Sequence, residues 1–309
     1  MSKSALHPRN RHQAVAGKAY DLEKLTQVNP DLTPWLVEKN NNELTVNFAE
    51  TEAVKQLNKA LLLAYYSIQF WDIPNNYLCP PVPGRVDYIH YLADLLTNST
   101  KAEKNTGKQV QVLDIGTGAN LIYPIVGSHE YSWRFVGSDI EPISVQCAQQ
   151  LINANPRLKK SVSLRLQKNQ DSIFTGIIGQ HDRFTFTMCN PPFHANAKQA
   201  QQATERKVKN LGLDKTSLNF GGQSNELWCP GGELEFVCNM VRESSQFKHQ
   251  VLWFTSLISN NKNLSKIQSE LAKANCQDVK IIDMGQGNKV SRFIAWTFFD
   301  KTQQQGWFE

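Results

Sequence analysis

The stretch best equipped for chemistry is Thr187-Met188-Cys189-Asn190-Pro191-Pro192-Phe193-His194. It ends the apolar run Phe184-Thr185-Phe186-Thr187-Met188, whose composition predicts a buried strand. Pro191 and Pro192 have no N–H and a fixed φ, so the strand must stop there. The turn therefore sits at the carboxyl end of a strand, where open α/β sheets hold their ligands. The Asn190 amide oxygen and the Pro191 carbonyl can each accept a hydrogen bond from an exocyclic amino group. Phe193 can stack on the flat ring that carries that group. An aromatic amine has its lone pair delocalised into the ring and is a poor nucleophile. Two acceptors on its N–H bonds draw the nitrogen toward a tetrahedral shape and free the lone pair for attack.

A second set of residues precedes the first. Val110 to Ile115 reads as a strand, Gly116-Thr117-Gly118 as a tight turn, and Asp139 closes the next strand, Trp133 to Asp139. Glycines let the backbone approach a ligand closely. A carboxylate at a strand tip can accept both hydroxyl hydrogens of a ribose diol. A dinucleotide would call for a third glycine, but Gly118 is followed by Ala119-Asn120-Leu121, which disfavours pyrophosphate. Arg85 falls in the first turn of another helix, where the dipole disfavours a cation. That placement is explained either by a solvated arginine, the commoner case, or by an external anion.

The elements that must position these groups follow from the pattern. From residue 109 strands and helices alternate: strands at 110–115, 133–139, 162–167, 184–190 and 250–258, helices at 121–126, 143–154, 233–247 and 264–274. This predicts an α/β fold, a parallel sheet with helices on both faces. Segments 279–284 and 293–299 close it as a hairpin-like pair through Gly285-Gln286-Gly287-Asn288. Upstream, Thr51 is the expected N-cap of a helix reaching about Tyr66, and Leu44 to Phe48 a short strand. A proline-rich linker leads from Ile73 to Pro83. Residues 194 to about 231, with Lys198, Arg206, Lys207, Lys209 and Lys215, exceed an ordinary connection and read as either a functional lid or a disordered segment. His7-Pro8-Arg9-Asn10-Arg11-His12, followed by Lys18, is a basic arm, either a disordered tail or a phosphate-contacting segment that orders on nucleic acid. The expected division is 1–84, an N-terminal module, and 85–309, the sheet domain.

Composition narrows the class. With 309 residues and 40% hydrophobic content the chain can bury a sizeable core. No apolar run nears the roughly 20 residues of a membrane span, and the basic N-terminus has no apolar stretch behind it, so neither an anchor nor a signal peptide is expected. The six cysteines (Cys79, Cys147, Cys189, Cys229, Cys238 and Cys276) are scattered without Cys-x-x-Cys spacing. Reduced thiols of a cytoplasmic protein, and no metal, are the expectation. A net charge of +5 leans toward a polyanionic partner.

The Asn-Pro-Pro-aromatic turn resembles the catalytic motif of methyltransferases acting on adenine N6, cytosine N4 or a glutamine amide. The Asp114-Ile115-Gly116-Thr117-Gly118 loop resembles that of class I S-adenosylmethionine-dependent enzymes. Together with His7-Pro8-Arg9-Asn10-Arg11, Gly231-Gly232-Glu233-Leu234-Glu235-Phe236 and Gly285-Gln286-Gly287, these motifs resemble the bacterial 23S ribosomal RNA adenine-N6 methyltransferase family over most of the chain. The chain is similar also to human methyltransferase-like protein sixteen. The resemblance implies a Rossmann-like, mostly parallel seven-stranded sheet with its last strand antiparallel, plus a small N-terminal RNA-binding module. It implies S-adenosylmethionine as cofactor, S-adenosylhomocysteine as product, and 23S ribosomal RNA or a large-subunit assembly intermediate as partner, with a monomeric enzyme. Residue by residue, Arg85 would bind the methionine carboxylate, Asp114, Gly116 and Gly118 the methionine moiety, Asp139 the ribose, and Asn169 or Gln170 the adenine side. Asn190, Pro191, Pro192 and Phe193 would form the catalytic turn. Arg9, Arg11, His12 and Lys18 would contact RNA. His194 is expected as a packing or RNA contact. Glu233 and Glu235 are read as first-turn acids complementing a helix dipole. The alternatives are a glutamine-amide methyltransferase acting on a protein, which would not need the arm, DNA adenine methylation, for which no target-recognition domain is visible, and an RNA-binding protein with an inactive fold.

Overall fold

The computed structural model describes residues 6–14, 20–39, 42–75, 77–101, 107–196, 198–199, 224–286 and 289–309. Lys18, the lid cations Arg206, Lys207, Lys209 and Lys215, and Gly287 lie outside them. The N-terminal segment carries α1 (Leu22–Val28), a short antiparallel pair β1 (Leu36–Glu38) and β2 (Leu44–Val46), and α2 (Thr51–Tyr65). Next come α3 (Val82–Ser99), β3 (Gln111–Ile115), α4 (Ile122–Tyr131), β4 (Arg134–Asp139), α5 (Pro142–Ala154), β5 (Val162–Leu166) and β6 (Phe184–Cys189). After a single helical turn at Ser224–Leu227 follow α6 (Gly232–Ser244), β7 (Val251–Ile258), α7 (Leu264–Lys273), β8 (Asp278–Gln286), β9 (Lys289–Thr297) and α8 (Lys301–Gln305).

Seven strands make one sheet in the order β5-β4-β3-β6-β7-β9-β8. Pairs β3/β4, β4/β5, β3/β6 and β6/β7 are parallel, and β9 runs antiparallel to both β7 and β8. The expected parallel sheet with an antiparallel last strand is therefore what forms. Every residue of β6 and β7 is buried, as covering both faces of a parallel sheet requires. One face packs Val112, Phe186 and Met188 against Val86, Ile89 and Leu92 of α3. The other packs Leu113, Ile115 and Phe254 against Val237, Met240 and Val241 of α6.

Register sets the site. Ile115 lies opposite both Ser138 and Cys189, and Asp139 lies opposite Leu166. The parallel strands thus end together. The chain runs outward from β3 to β4 and β5 and returns to β6 on the other side of β3. That reversal opens a crevice beyond the carboxyl ends of β3 and β6.

The division expected after residue 84 falls inside the first turn of α3. One hydrophobic cluster runs from Leu25, Leu57 and Leu61 through Val86 to Val112 of the sheet. Among the described residues no helix is long and apolar enough to cross a membrane, and no group of three or more His, Cys, Asp or Glu could hold a metal ion.

Candidate active site

A cleft of about 880 Å³ opens at this crevice. Gly116 (φ +69°) and Gly118 (φ +64°) turn the chain out of β3 in the left-handed region that favours glycine. A Cβ at Gly116 would meet nothing within 4 Å, so this backbone faces open space. At Gly118 it would lie 3.2 Å from Asn120 Nδ2 and 3.6 Å from Glu226 Oε1. The two glycines therefore form a bare backbone cradle.

Asp139 braces that cradle. Its Oδ2 accepts the Gly118 N–H at 2.9 Å and its Oδ1 accepts the Glu141 N–H at 3.0 Å. Each carboxylate oxygen has a further lone pair for a ligand hydroxyl. Burial raises its pKa above the usual carboxylate value. Asp114 lies behind the loop, 1% exposed. Its Oδ2 accepts from the Thr117 hydroxyl at 2.7 Å, while Oδ1 is buried with no partner. Burial, reinforced by the Asp139 charge, pushes the Asp114 carboxyl up to about 7. Asp114 supports the loop, and Ile115, Gly116 and Thr117 line the cleft.

Arg85 reaches the cleft from α3 and donates to the Tyr123 hydroxyl at 3.0 Å. Its guanidinium stands 5.7 Å from the Tyr123 ring centre. Among the described residues no ion pair engages it, although its charge is felt by the buried Asp114 carboxyl.

At the end of β6, Asn190 and Pro192 line the same cleft. Asn190 Oδ1 is buried and has no hydrogen-bond partner. Native structures seldom leave a buried acceptor unpaired, so its acceptor capacity is unspent within the protein. Pro191 is buried and Phe193 is 39% exposed, leaving its ring free to stack. The turn is braced from behind. Thr255 donates its hydroxyl to the Thr187 carbonyl at 2.8 Å, so Tyr88 must donate to Thr255, at 2.6 Å. His194 pairs through its backbone with the segment closing the lid. Its N–H donates to the Leu227 carbonyl at 3.1 Å, and its carbonyl accepts the Cys229 N–H at 3.0 Å.

Of the two residues expected on the adenine side, Gln170 lines the cleft. Asn169 is spent on its own turn, its Nδ2 donating to Ser172 and its Oδ1 accepting from Asp171. Gln167, one residue past β5, also lines the cleft.

The N-terminal residues are folded onto α3 and α4 rather than extended. The His7 N–H and Asn10 Nδ2 donate to Oδ1 of buried Asp87 at 3.0 and 2.6 Å. Arg9 donates to the His90 carbonyl and pairs with Asp94, and Arg11 pairs with Glu130 at 2.7 Å. His12 is 7% exposed, with Nε2 2.7 Å from the Tyr66 hydroxyl. Burial and the nearby Arg11 charge lower its pKa to about 4. It is packed inside the segment, while Arg9 and Arg11 keep 47% and 35% of their side chains exposed.

Three features escaped sequence reasoning. Glu233 sits in the first turn of α6, as expected, but it also ties down a neighbouring loop. It is 2% exposed, and its carboxylate accepts from the Ser259 N–H, from the Asn260 N–H at 3.2 Å and from Asn263 Nδ2 at 2.7 Å. Glu226 and Trp228, just past the lid, line the cleft, and Glu226 accepts the Leu78 N–H at 3.1 Å. Glu243 holds the loop after β5. Isolated acids on polar stretches carry no periodic signal that would have exposed these roles.

Comparison with known proteins agrees with this architecture. Residues 1–300 match a family model described as RNA methyltransferase. The chain is 50% identical over 305 residues to ribosomal RNA large subunit methyltransferase F of Pseudoalteromonas translucida (strain TAC 125), covering 98% of this chain and 96% of that one. It is 51% identical over 310 residues to the protein of the same name from Flavobacterium johnsoniae, covering 99% and 97%. Among solved structures, the human METTL16 catalytic domain in complex with MAT2A 3'UTR hairpin 1 superposes with a TM-score of 0.81 at 28% identity, covering 96% of each chain. The N-terminal domain of human METTL16 in complex with SAH gives 0.75 at 26% identity, covering 96% of this chain and 99% of that one. With a match across nearly its whole length and relatives at half identity, the chain belongs to the RNA methyltransferase family.

Proposed function

We propose that this protein transfers a methyl group from S-adenosylmethionine to N6 of a specific adenine in 23S ribosomal RNA. The observation that carries the reading is the unpartnered Asn190 Oδ1 in the same cleft as the Gly116–Gly118 cradle. The names of the relatives support the large-subunit RNA, and the neighbours bound to SAH and to an RNA hairpin support the cofactor and substrate class.

The cleft fits the cofactor, since a bare glycine cradle, a braced carboxylate and a guanidinium outside any ion pair match its backbone-contacting, diol and carboxylate parts. Arg85 would bind the methionine carboxylate as a charge-assisted pair. Asp139 would accept the ribose hydroxyls, and Gln167 and Gln170 would flank the adenine. When bound, S-adenosylmethionine supplies an electrophilic methyl group on a sulfonium. The protein's part is to orient the acceptor, a contribution of about 7–11 kcal/mol in well-placed cases. Asn190 Oδ1 and the Pro191 carbonyl accept the N6 hydrogens and stabilise the positive charge that develops on nitrogen. Phe193 stacks on the base, which must leave its helix at a cost of a few kcal/mol. The surplus N6 proton is acidic enough to pass to water, so no side chain is assigned as general base.

The test is methyl transfer from labelled S-adenosylmethionine to total RNA from cells lacking the protein, with Asn190→Ala as control and nucleoside analysis of the product. N6-methyladenosine in 23S RNA with the wild-type protein alone is the expected result. Label in protein and none in RNA would overturn the reading in favour of a glutamine-amide substrate.

A further inference from the structure

The loop after β5 forms one wall of the cleft through Gln167, Gln170, Ser172 and Ile173. Polar surface loops open easily unless something ties down their backbone. Here a carboxylate does so. Glu243 Oε2 accepts the Ile173 N–H at 2.7 Å, and Oε1 accepts the Phe174 and Thr175 N–H groups at 3.1 and 2.6 Å. These donors open a tight turn in which the Ile177 and Ile178 N–H groups both donate to the Phe174 carbonyl. They are the orphan donors that any helical turn leaves at its start. Glu243 caps them from another element.

Its position is otherwise unfavourable. Glu243 lies in the last turn of α6, where an anion faces the negative end of the helix dipole. The benefit lies across the gap, in the loop. The loop has two further fastenings. Phe174 is fully buried, with its ring centre 6.0 Å from that of Phe247 and 5.4 Å from that of Phe254. Gln167 Nε2 donates to the Thr175 carbonyl at 2.9 Å, and the Gln167 N–H donates to the Asp139 carbonyl at 2.8 Å. The shape of the loop is thereby linked to the residue that would hold the ribose.

We infer that Glu243 is a positioning residue for cofactor binding, its carboxylate fixing residues 173–175 so that the loop presents a preformed wall to the adenosine half of S-adenosylmethionine. The inference rests on the S-adenosylmethionine reading above. Glu243 itself lines the cleft, but its carboxylate is engaged by the backbone amides of the loop, so its loss should weaken cofactor binding and leave the chemical step alone.

The test measures S-adenosylhomocysteine binding by calorimetry, steady-state methyl transfer, and amide hydrogen exchange at 173–175 for the wild type, Glu243→Gln and Glu243→Asp. An amide at this position offers one acceptor oxygen and turns donors toward donors. In Glu243→Gln the Kd should rise about tenfold, the loss of one charge-assisted hydrogen bond. KM for S-adenosylmethionine should rise in parallel while kcat at saturation stays within about twofold, the pattern of lost ground-state binding. Exchange at 173–175 should quicken while α6 stays protected. Glu243→Asp keeps the charge but is one methylene shorter, and should raise Kd by about threefold. Unchanged Kd and KM in either folded variant, with only the melting temperature lowered, would overturn the inference and leave Glu243 a structural fastening. A wild-type protein that binds no S-adenosylhomocysteine would instead overturn the cofactor reading, and this inference with it.

Discussion

Asn190→Ala separates a residue held ready for a substrate from one that holds the fold. In the free protein Asn190 Oδ1 is buried without a partner. A neutral acceptor in that state costs about 1–3 kcal/mol. The cost is offset when an N6 hydrogen is donated to it, and most fully as the nitrogen becomes positive. Alanine removes both the acceptor and its cost. Activity should then fall about 10²–10³-fold in kcat, the worth of one preorganised polar group at a reacting centre. Stability should not fall with it, because relief of the unpaired acceptor offsets the lost contacts of a half-buried side chain. The assay is single-turnover methyl transfer at saturating RNA and labelled S-adenosylmethionine, beside thermal melts of both proteins. A kcat within about tenfold of wild type would refute the catalytic role. A melting temperature lowered by roughly 8 °C or more would show that the amide is engaged in the fold, contrary to its unpaired state.

Other perturbations test other parts of the argument. Replacing Arg9 and Arg11 together by Ala should weaken RNA binding and reduce the slope of log K against log salt by about 1.4, two single-strand phosphate contacts' worth. Arg9→Ala alone should change folding stability little, since the exposed Arg9–Asp94 pair contributes at most about 1 kcal/mol, whereas loss of Arg11 leaves the largely buried Glu130 without its partner. Unchanged RNA affinity would count against the arm. The Asp114 carboxyl is raised by burial to about 7 in the folded state, so the native protein keeps a proton that the unfolded chain releases near pH 4. Stability from this group is therefore full at low pH and is lost as pH rises from about 4 through 7. Asp114→Asn should flatten that part of the melting-temperature profile, and an undiminished slope would refute the assignment. Glu233→Ala strands the Ser259 and Asn260 amides and the Asn263 side chain. Urea unfolding should show a loss of about 3 kcal/mol; a loss below about 1 kcal/mol would sink the staple.

What the sequence disclosed followed local composition. The runs at 110–115 and 184–190 are rich in Val, Ile, Leu, Phe, Thr and Met, residues that suit a buried strand, and they became β3 and β6. Turn chemistry was equally legible, because prolines and glycines restrict or free the backbone regardless of context. Hence Gly116, Gly118 and the Asn190 turn could be placed at strand ends before any fold was known. The N-terminal segment was not legible. His7, Asn10 and His12 are polar, yet all are buried, because Asp87 and Tyr66 on distant elements supply their hydrogen bonds. A polar residue's burial depends on a partner far away in sequence, and no local pattern records it. The same holds for α1, whose seven residues bury only Leu25.

The acids of α6 show why the far wall of the site was the least visible part. Glu233 in its first turn grips the loop after β7, and Glu243 in its last turn grips the loop after β5. They stand near opposite ends of a 13-residue helix, separated by about 15 Å of rigid rod at about 1.5 Å per residue. Both loops follow carboxyl ends of parallel strands, where backbone amides have left the ladder and need acceptors. A carboxylate can serve several amides at once, so one helix with an acid at each end can set the spacing of two loops. The dipole argument from sequence explains an acid at the first turn and forbids one at the last. Only the second position looks wrong in isolation, and it is the one whose hydrogen bonds reach the wall of the cleft. With the helix expected to reach residue 247, Glu243 did not stand out as misplaced; only the observed end at Ser244 shows it, and its meaning lay in the amides of a different loop.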